Sequence, residues 1–388
     1  MITVGLAGKP NAGKSTFYQA ATMAEAETGN YPFTTIDANR GVTSVKTDCP
    51  CLELESRCGN CRKGKRYVPV ELVDVAGLVP DAHLGKGLGN QFLDELRQAD
   101  VIIHVVDAAG ATNEKGEPVE PGDHDPVEDV DFLENEIDLW IAGILEENWE
   151  KLERRSKTPN FDFTEELAEI LTGVGASEPE IQIALRKTDA PEFKDWNQDR
   201  IRNFASVMRE ISKPIITAAN KAEIAPESNL EALKETANAV PTSAESELAL
   251  RRAAEDGVVE YQPGDADFEL SDEVNDRQRK GLERISDFME ENGGTGIQAV
   301  LDRSVYDVLD MITAYPVEDP GDWTDGSGNV LPDAFLLEKG STPKDLAFEV
   351  HSDVGEGYIH AVDARKGQRT ADDTVLEEGD VIKIESTA

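Results

Sequence analysis

An eight-residue segment near the start of the chain restricts the possible fold more than any other feature. Residues 8–15 read GKPNAGKS and follow a short apolar run from Ile2 to Ala7. The pattern G-x-x-x-x-G-K-[ST] predicts a strand, a glycine-rich loop and a helix that begins near Lys14. Such a loop directs several backbone N–H groups at one phosphate, while Lys14 adds positive charge and Ser15 offers a hydroxyl to Mg²⁺.

Short apolar strands alternate with helical segments beyond this loop. We predict these strands at Val68–Asp74, Val101–Asp107, Pro214–Ala218 and Ala239–Ala244. The alternation predicts an α/β fold with a doubly wound parallel sheet, in which ligands bind at the carboxyl ends of the strands. Residues 130–209 have an amphipathic helical pattern between two of the strands, which indicates a helical insertion.

The pattern of apolar and polar residues changes after about residue 313. Pro316 lies in a predicted linker, and short alternating segments follow. This change separates a small α+β module from the P-loop domain. The predicted division is 1–129 and 210–312 for the P-loop domain with a cysteine-bearing insert at 49–66, 130–209 for the helical insertion, and 313–388 for the C-terminal module.

Two further segments complete the predicted phosphate and Mg²⁺ site. Asp74 ends a strand in the tetrapeptide DVAG, so we expect its carboxylate near Mg²⁺ and the N–H of Gly77 near the γ-phosphate. Thr34 and Thr35 lie in a polar loop between the P-loop and DVAG. We predict that the Thr35 hydroxyl binds Mg²⁺ when the γ-phosphate is present, which would order this loop.

Leu78 stands directly after Gly77, where many GTPases carry a glutamine that orients the attacking water. Leucine has no polar group for this role, so slow hydrolysis is expected. Either another group, such as His83, positions the water, or the protein binds nucleotide with negligible turnover.

The segment NKAE at residues 220–223 resembles the N-K-x-D motif through which GTPases recognise guanine. An acid at its last position accepts hydrogen bonds from guanine N1–H and the 2-amino group, and adenine offers neither donor. Glu223 is one methylene longer than the usual Asp, so GTP is favoured but ATP stays open. The backbone N–H groups of Ser243 and Ala244 are expected to meet guanine O6.

All four cysteines of the chain lie close together, at Cys49, Cys51, Cys58 and Cys61. Thiols clustered in an intracellular chain indicate metal ligands before disulfides, and four thiolates suit tetrahedral Zn²⁺. A redox dithiol pair and ordinary loop cysteines are the alternatives.

Two small basic clusters stand out against 78 acidic and 38 basic residues, a net charge of −40. They are Arg62, Lys63, Lys65 and Arg66, and Arg365, Lys366 and Arg369. Such clusters predict contact with RNA or with ribosomal phosphates. Local pairing with thiolates and acids is the alternative.

The acidic residues are spread along the whole chain, which we interpret as adaptation to a cytoplasm of molar salt. At ~1 M salt the Debye length is about 3 Å, so distant carboxylates barely affect a bound triphosphate. No apolar run approaches the roughly 18 residues of a membrane span, and nothing resembles a secretory signal. We therefore expect a cytoplasmic protein with neither a membrane nor a DNA partner.

The motifs resemble those of translation-factor-like P-loop GTPases in their order, GKPNAGKST, FTT, DVAG, NKAE and TSA. The chain resembles the Obg-like family, and within it an archaeal and fungal subgroup of the YchF branch, in FTTIDANRG and DVAGLVPDAHLGKGLGNQFLDELRQAD. Its end resembles a TGS domain, a ubiquitin-like β-grasp module, in GSTPKDLAFEVHSDVGEGYIHAVDARKGQRT and LEEGDVIKI.

This resemblance implies a slow GTP-hydrolysing switch tied to ribosomes or translation. Together with the acidic composition, it predicts a halophilic archaeon as the source. It also implies recruitment of K⁺ through an asparagine at the position of Asn11, and a preference for ATP where the base motif is degenerate. The predicted nucleotide contacts are Gly8, Lys9, Pro10, Asn11, Ala12, Gly13, Lys14, Ser15, Thr16, Asn220, Lys221, Glu223, Ser243 and Ala244. The predicted Mg²⁺ ligands are Ser15, Thr35 and Asp74, and the residues predicted to act in hydrolysis are Asn11, Lys14, Thr35 and Gly77.

Overall fold

The structure, a computed structural model, describes residues 1–22, 39–75, 88–189, 193–272 and 274–387. The chain divides into two compact units. The larger unit comprises Thr3–Thr43 and Glu71–Val300, and the C-terminal unit comprises Met1–Ile2, Ser44–Val70 and Leu301–Ala388. None of the helices within the described ranges combines the length and the apolar composition that a membrane span requires.

Seven strands of the described chain form the main sheet. Their bounds are β1 Thr3–Ala7, β2 Arg40–Asp48, β3 Cys61–Arg62, β4 Lys65–Asp74, β5 Val101–Asp107, β6 Ile215–Asn220 and β7 Val240–Pro241. The spatial order is β2-β4-β1-β5-β6-β7, with β3 paired antiparallel to β4. Strands β4, β1, β5, β6 and β7 are parallel neighbours, so their carboxyl ends meet at one edge. This arrangement confirms the predicted α/β fold with a parallel sheet.

The helices of the described chain alternate with these strands and continue into the C-terminal unit. Their bounds are α1 Lys14–Thr22, α2 Leu88–Gln98, α3 Pro126–Arg155, α4 Phe163–Leu171, α5 Glu178–Lys187, α6 Gln198–Ser212, α7 Glu227–Ala237, α8 Ala244–Glu255, α9 Asp276–Asn292, α10 Ile297–Arg303, α11 Pro343–Val350 and α12 Ser352–Glu356. Helix α1 packs against α8, and a short hairpin of β8 (Val259–Glu260) and β9 (Glu269–Leu270) follows α8.

Helices α3 to α6 lie between β5 and β6 and form the helical insertion. Asp125, Asp162 and Asn197 each accept a hydrogen bond from a backbone N–H in the first turn of the helix that follows. These caps satisfy N–H groups that would otherwise lack a partner, which explains where α3, α4 and α6 begin.

Aromatic side chains fill the interior of the insertion. The ring of Trp196 lies 5.0 Å from that of Phe204 and 5.1 Å from that of Phe163, between centroids. Phe204 is fully buried, and it shares one apolar core with Ile102 of β5. The insertion is therefore packed on the strand that carries one of the site residues described below.

The C-terminal unit contains a mixed sheet of five strands with the order β11-β10-β14-β12-β13. The bounds are β10 Met311–Val317, β11 Phe335–Glu338, β12 Tyr358–Asp363, β13 Gln368–Arg369 and β14 Asp380–Ser386. Strand β10 is parallel to β14, and the other pairs are antiparallel. Leu346 of α11 is fully buried in the core of this sheet. A helix packed on a mixed sheet agrees with the predicted β-grasp module.

The cysteine-bearing insert belongs to the C-terminal unit, whereas we expected it within the P-loop domain. Residues 44–70 group with residues 301–388. The guanidinium of Arg66 donates hydrogen bonds to the carbonyls of Leu331 at 3.2 Å and Pro332 at 2.7 Å. Cys49 and Cys51 are buried in the same apolar cluster as β10 and β14 side chains. The physical reason is that the insert buries its apolar side chains against the C-terminal sheet, a long-range contact that composition does not reveal.

We predict that Phe204→Ala lowers the free energy of unfolding by about 3–5 kcal/mol, because it leaves a cavity in the packed aromatic core. Urea unfolding followed by tryptophan fluorescence measures the loss. Ile183→Ala on α5, where the side chain is 37% exposed, is the matched control and should change stability by less than about 1 kcal/mol. Equal effects of the two substitutions would contradict the assignment of this core.

Candidate nucleotide-binding site

The P-loop turns sharply between β1 and α1. Gly8 has a φ of 152° and Gly13 a φ of 101°, both in the region that favours glycine. A Cβ atom on Gly8 would overlap the carbonyl oxygen of Val105, and one on Gly13 would overlap Nδ2 of Asn220. The loop therefore depends on both glycines for its course across the edge of the sheet.

Asn220 joins the P-loop to the segment predicted to read the base. Its Nδ2 donates to the carbonyl of Ala12 at 2.9 Å, and its Oδ1 accepts from the N–H of Ala244 at 3.1 Å. Asn220 is the last residue of β6 and is 3% exposed, so burial and its backbone partners hold the side chain in one position. One amide thus fixes the two halves of the predicted nucleotide site to each other.

Asp74 and Lys14 meet at the centre of the predicted phosphate site. Strand β4 pairs with β1 such that Asp74 lies opposite Leu6, just before the P-loop. Lys14 Nζ lies 3.5 Å from Asp74 Oδ1. That oxygen is buried and has no hydrogen-bond partner among the residues the structure describes. A carboxylate oxygen in this state suits a divalent cation with oxygen ligands, so the residues present fit Mg²⁺.

Asp107 is a site residue that the sequence analysis did not single out. It ends β5 directly opposite Asn220 in the register, and its side chain is fully buried. Its Oδ2 accepts from Lys221 Nζ at 2.8 Å and from Thr112 Oγ1 at 2.7 Å. Lys221 itself has a φ of 60°. The signal that would have found Asp107 is its position, an acid at the carboxyl end of a central parallel strand.

The side chain of Lys9, a predicted nucleotide contact through its backbone, is held by protein groups. It is 4% exposed, pairs with Asp129 at 2.8 Å and donates to the carbonyl of Thr112 at 2.8 Å. Asp129 lies in the first turn of α3 and also meets His124 Nε2 at 2.9 Å. The backbone N–H of Lys9 is therefore the group left for phosphate contact, because its ammonium is held at the start of the insertion.

Burial holds the imidazole of His104, on β5, in one charge state. Burial, with a smaller effect of the Lys9 charge, lowers the pKa of His104 to about 3. His104 is therefore neutral at physiological pH. In the P-loop, two residues after Lys9, Asn11 has a φ of 63°, and its Nδ2 donates to the carbonyl of Gly116 at 2.9 Å.

The predicted base-reading groups are only partly available for a base. Glu223 lies in a short turn at Ala222–Ile224 and is exposed. The N–H of Ser243 donates to the carbonyl of Thr295 at 2.9 Å, and that of Ala244 donates to Asn220. Contact of these two N–H groups with guanine O6 would require exchange of both bonds, since each N–H already has a partner in this structure.

Several predicted residues lie outside the described residues. Thr34 and Thr35 fall within 23–38, and Gly77, Leu78 and His83 fall within 76–87. Pro10 and Ser15 lie on the exposed side of the P-loop, and Thr16 is half-buried.

The basic clusters lie in the C-terminal unit and are largely paired there. Lys65 meets Asp48 at 2.5 Å, and Arg66 binds the carbonyls described above. Arg365 pairs with Glu53 at 2.8 Å, and Lys366 with Asp363 at 2.7 Å. The alternative of local pairing with acids is therefore supported for Lys65, Arg365 and Lys366, while Arg66 bonds to backbone carbonyls. Arg62, Lys63 and Arg369 have exposed side chains.

Three family models match consecutive parts of the chain. Residues 3–157 match the model described as "50S ribosome-binding GTPase". Residues 218–319 match "Obg-like GTPase YGR210-like, G4 motif-containing domain", and residues 327–385 match the TGS domain.

Similar proteins extend these matches over the full length. The "Uncharacterized GTP-binding protein MJ1332" of Methanocaldococcus jannaschii is 48% identical over 398 aligned positions, which cover 100% of each chain. The "Ribosome-binding ATPase YchF" of Bacillus subtilis is 30% identical, over 93% of this chain and 87% of its own length. A crystal structure titled as a GTP binding protein from Pyrococcus horikoshii OT3 is 40% identical, with a TM-score of 0.79 and 100% coverage of both chains. The chain therefore belongs to the Obg-like family of P-loop nucleoside triphosphatases, as a YchF-type member with a C-terminal TGS domain.

Proposed function

We propose that this protein is a Mg²⁺-dependent GTPase that acts as a slow molecular switch on the ribosome. The observation that carries the proposal is the Asn220 side chain, which bonds to both the P-loop and the base-reading segment. This bond couples the position of the phosphates to the position of the base. A site that only bound free phosphate would have no use for that coupling.

Lys14, Ser15, Asp74 and Thr35 are the groups that would organise Mg²⁺ and the phosphates. Ser15, Thr35 and Asp74 would hold Mg²⁺, and the bound ion would supply positive charge beside the phosphates. The buried Asp74 carboxylate would orient the metal through a water ligand, and Lys14 would contact the β- and γ-phosphates. Gly77 would sense the γ-phosphate through its N–H, so that hydrolysis releases its loop.

Asn11 is proposed to bind K⁺ beside the phosphates. Its Nδ2 is engaged by the carbonyl of Gly116, which holds the carboxamide in place. The carboxamide oxygen is the atom that a K⁺ ion needs. A monovalent cation there would add positive charge near the γ-phosphate, where Leu78 supplies no polar group for the attacking water.

The base is proposed to be guanine, with ATP as the alternative. Glu223 is an exposed acid at the motif position where GTPases carry the guanine-binding carboxylate. The name of the Bacillus subtilis relative, a ribosome-binding ATPase, favours the alternative. Lys221 supports either base, because Asp107 holds its ammonium and leaves the methylene stem to contact the ring face.

The ribosome, or RNA in general, is proposed as the partner. The names of a relative and of a matching family model both include ribosome binding. Arg62 and Lys63 are exposed basic residues in an acidic chain, and they are the residues of the first cluster best suited to a phosphate backbone. A nucleotide-dependent RNA-binding module with negligible turnover is the second reading, and Leu78 favours it.

Gly13→Ala should abolish high-affinity nucleotide binding. The added methyl overlaps Asn220, whose two hydrogen bonds prevent it from moving aside, and the φ of 101° adds strain. A combined cost of about 3 kcal/mol corresponds to at least roughly 100-fold weaker binding. Calorimetric titration with a GTP analogue and Mg²⁺ measures it. Gly143→Ala, at a helix position with open space, is the control and should bind as the wild type does. Undiminished binding by the Gly13 variant would exclude the proposed phosphate site.

Glu223→Ala should reduce the preference for GTP over ATP. Loss of a charged acceptor for two guanine donors costs about 1.5–3 kcal/mol, or roughly 10- to 100-fold in GTP affinity, with little change for ATP. Parallel titrations with GTP and ATP analogues measure the ratio, and Glu223→Asp is expected to retain it. A wild-type protein that binds the ATP analogue more tightly would support the ATPase alternative.

Ribosome association should depend on the nucleotide and on the exposed basic pair. We expect more protein to sediment with ribosomes in the presence of a GTP analogue than with GDP, and less after Arg62→Glu/Lys63→Glu. Arg186→Glu/Lys187→Glu on α5 makes the same charge change at exposed positions and should have no effect. Sedimentation that is identical with both nucleotides and in both variants would remove the ribosomal partner from the proposal.

A further inference from the structure

The four cysteines come together although the chain presents them from different local structures. Cys49 directly precedes a short helical turn at Pro50–Glu53, and Cys51 lies within that turn. Cys58 follows in a loop, and Cys61 begins β3. All four are free thiols, and their Sγ atoms lie within 4.8 Å of one another.

Two of the six distances between the sulfur atoms match those of a tetrahedral metal site, and all six are within 4.8 Å. Cys49 Sγ lies 3.7 Å from Cys58 Sγ, and Cys51 Sγ lies 3.6 Å from Cys61 Sγ. With Zn–S bonds of about 2.3 Å, two ligands of a tetrahedral Zn²⁺ are separated by about 3.8 Å. A disulfide requires about 2.05 Å, and neither pair is in that range.

One backbone donor contacts a sulfur of the cluster, and basic residues lie near the cysteines in the chain. The N–H of Asn60 points to Cys58 Sγ at 3.4 Å, and the Arg57 guanidinium donates to the carbonyl of Cys51 at 3.3 Å. Arg62, Lys63, Lys65 and Arg66 follow directly in the chain. Positive charge this near in the chain would reduce the cost of a site of net charge −2 in an otherwise acidic protein.

The cluster also lies where the insert meets the C-terminal sheet. Cys49 and Cys51 are buried in one apolar cluster with Tyr315 and Val381 of β10 and β14. The Tyr315 hydroxyl is buried and has no hydrogen-bond partner within the described part of the chain. Arg365 also joins the insert to this unit, because its guanidinium binds Glu53 of the insert and lies 5.5 Å from the ring centroid of Trp323.

We propose that Cys49, Cys51, Cys58 and Cys61 bind one Zn²⁺, and that this ion fixes residues 44–70 to the C-terminal module. The ion has a structural role, since four protein ligands leave no open position for a substrate. The proposal is independent of the proposed GTPase activity, because all the residues involved belong to the C-terminal unit.

Metal analysis of the purified full-length protein tests the binding directly. We expect one zinc per chain in the wild type and in Ser56→Ala, an exposed position in the same loop, and none in Cys51→Ser/Cys61→Ser. Wild-type protein in which Co²⁺ replaces zinc should show the thiolate-to-cobalt charge-transfer and tetrahedral d–d absorption bands. That spectrum does not depend on whether the double variant folds.

Removal of the metal tests the structural role. After a strong chelator has removed the zinc and has itself been exchanged for buffer with Mg²⁺, proteolytic cleavage within residues 49–66 should increase at least about tenfold, while the affinity for a GTP analogue stays unchanged. Wild-type protein without zinc that also gives no tetrahedral cobalt spectrum would overturn the proposal. Isolation with two disulfides and no metal would replace it with redox sensing, and unchanged cleavage after metal removal would refute the structural role.

Discussion

The geometry of the site depends on the pair of hydrogen bonds that the Asn220 side chain makes with Ala12 and Ala244. It requires a glycine at position 13, because any side chain there would overlap the amide. It also requires β6 to end next to β5, so that Asn220 and Asp107 lie side by side in the register. The sheet order, the glycine and the amide therefore form one constraint, and the P-loop cannot shift without breaking it.

Each lysine of the site is matched to one acid at the carboxyl edge of the sheet or at the first turn of α3. Lys14 meets Asp74, and Lys221 meets Asp107, at distances of 3.5 and 2.8 Å. In a chain of net charge −40, such close and partly buried pairs act locally, because salt screens the distant carboxylates much more strongly. The positive charge needed for a triphosphate is thus retained by position rather than by overall composition.

The sequence predicted the parts of the molecule that local patterns encode. The glycines of the P-loop, Asp74 at a strand end and Asn220 followed from motif spacing together with the rule that parallel strands present their carboxyl ends at one edge. The pairing of Lys9 with Asp129, the role of Asp107 and the grouping of the insert with the C-terminal sheet did not follow. Each of these depends on packing between segments far apart in the chain, and Lys221 and Asp107 are separated by 114 positions.

The grouping of residues 44–70 with residues 301–388 has a consequence for how the chain acquires its structure. During synthesis the insert leaves the ribosome long before β10 and β14 exist, so its apolar side chains must wait for almost the entire larger unit to be made. Closing so long a loop is entropically costly and slow. A metal site made of four thiols close in the chain could form as soon as the insert is made, and it would keep residues 44–70 compact until β10 and β14 are synthesised.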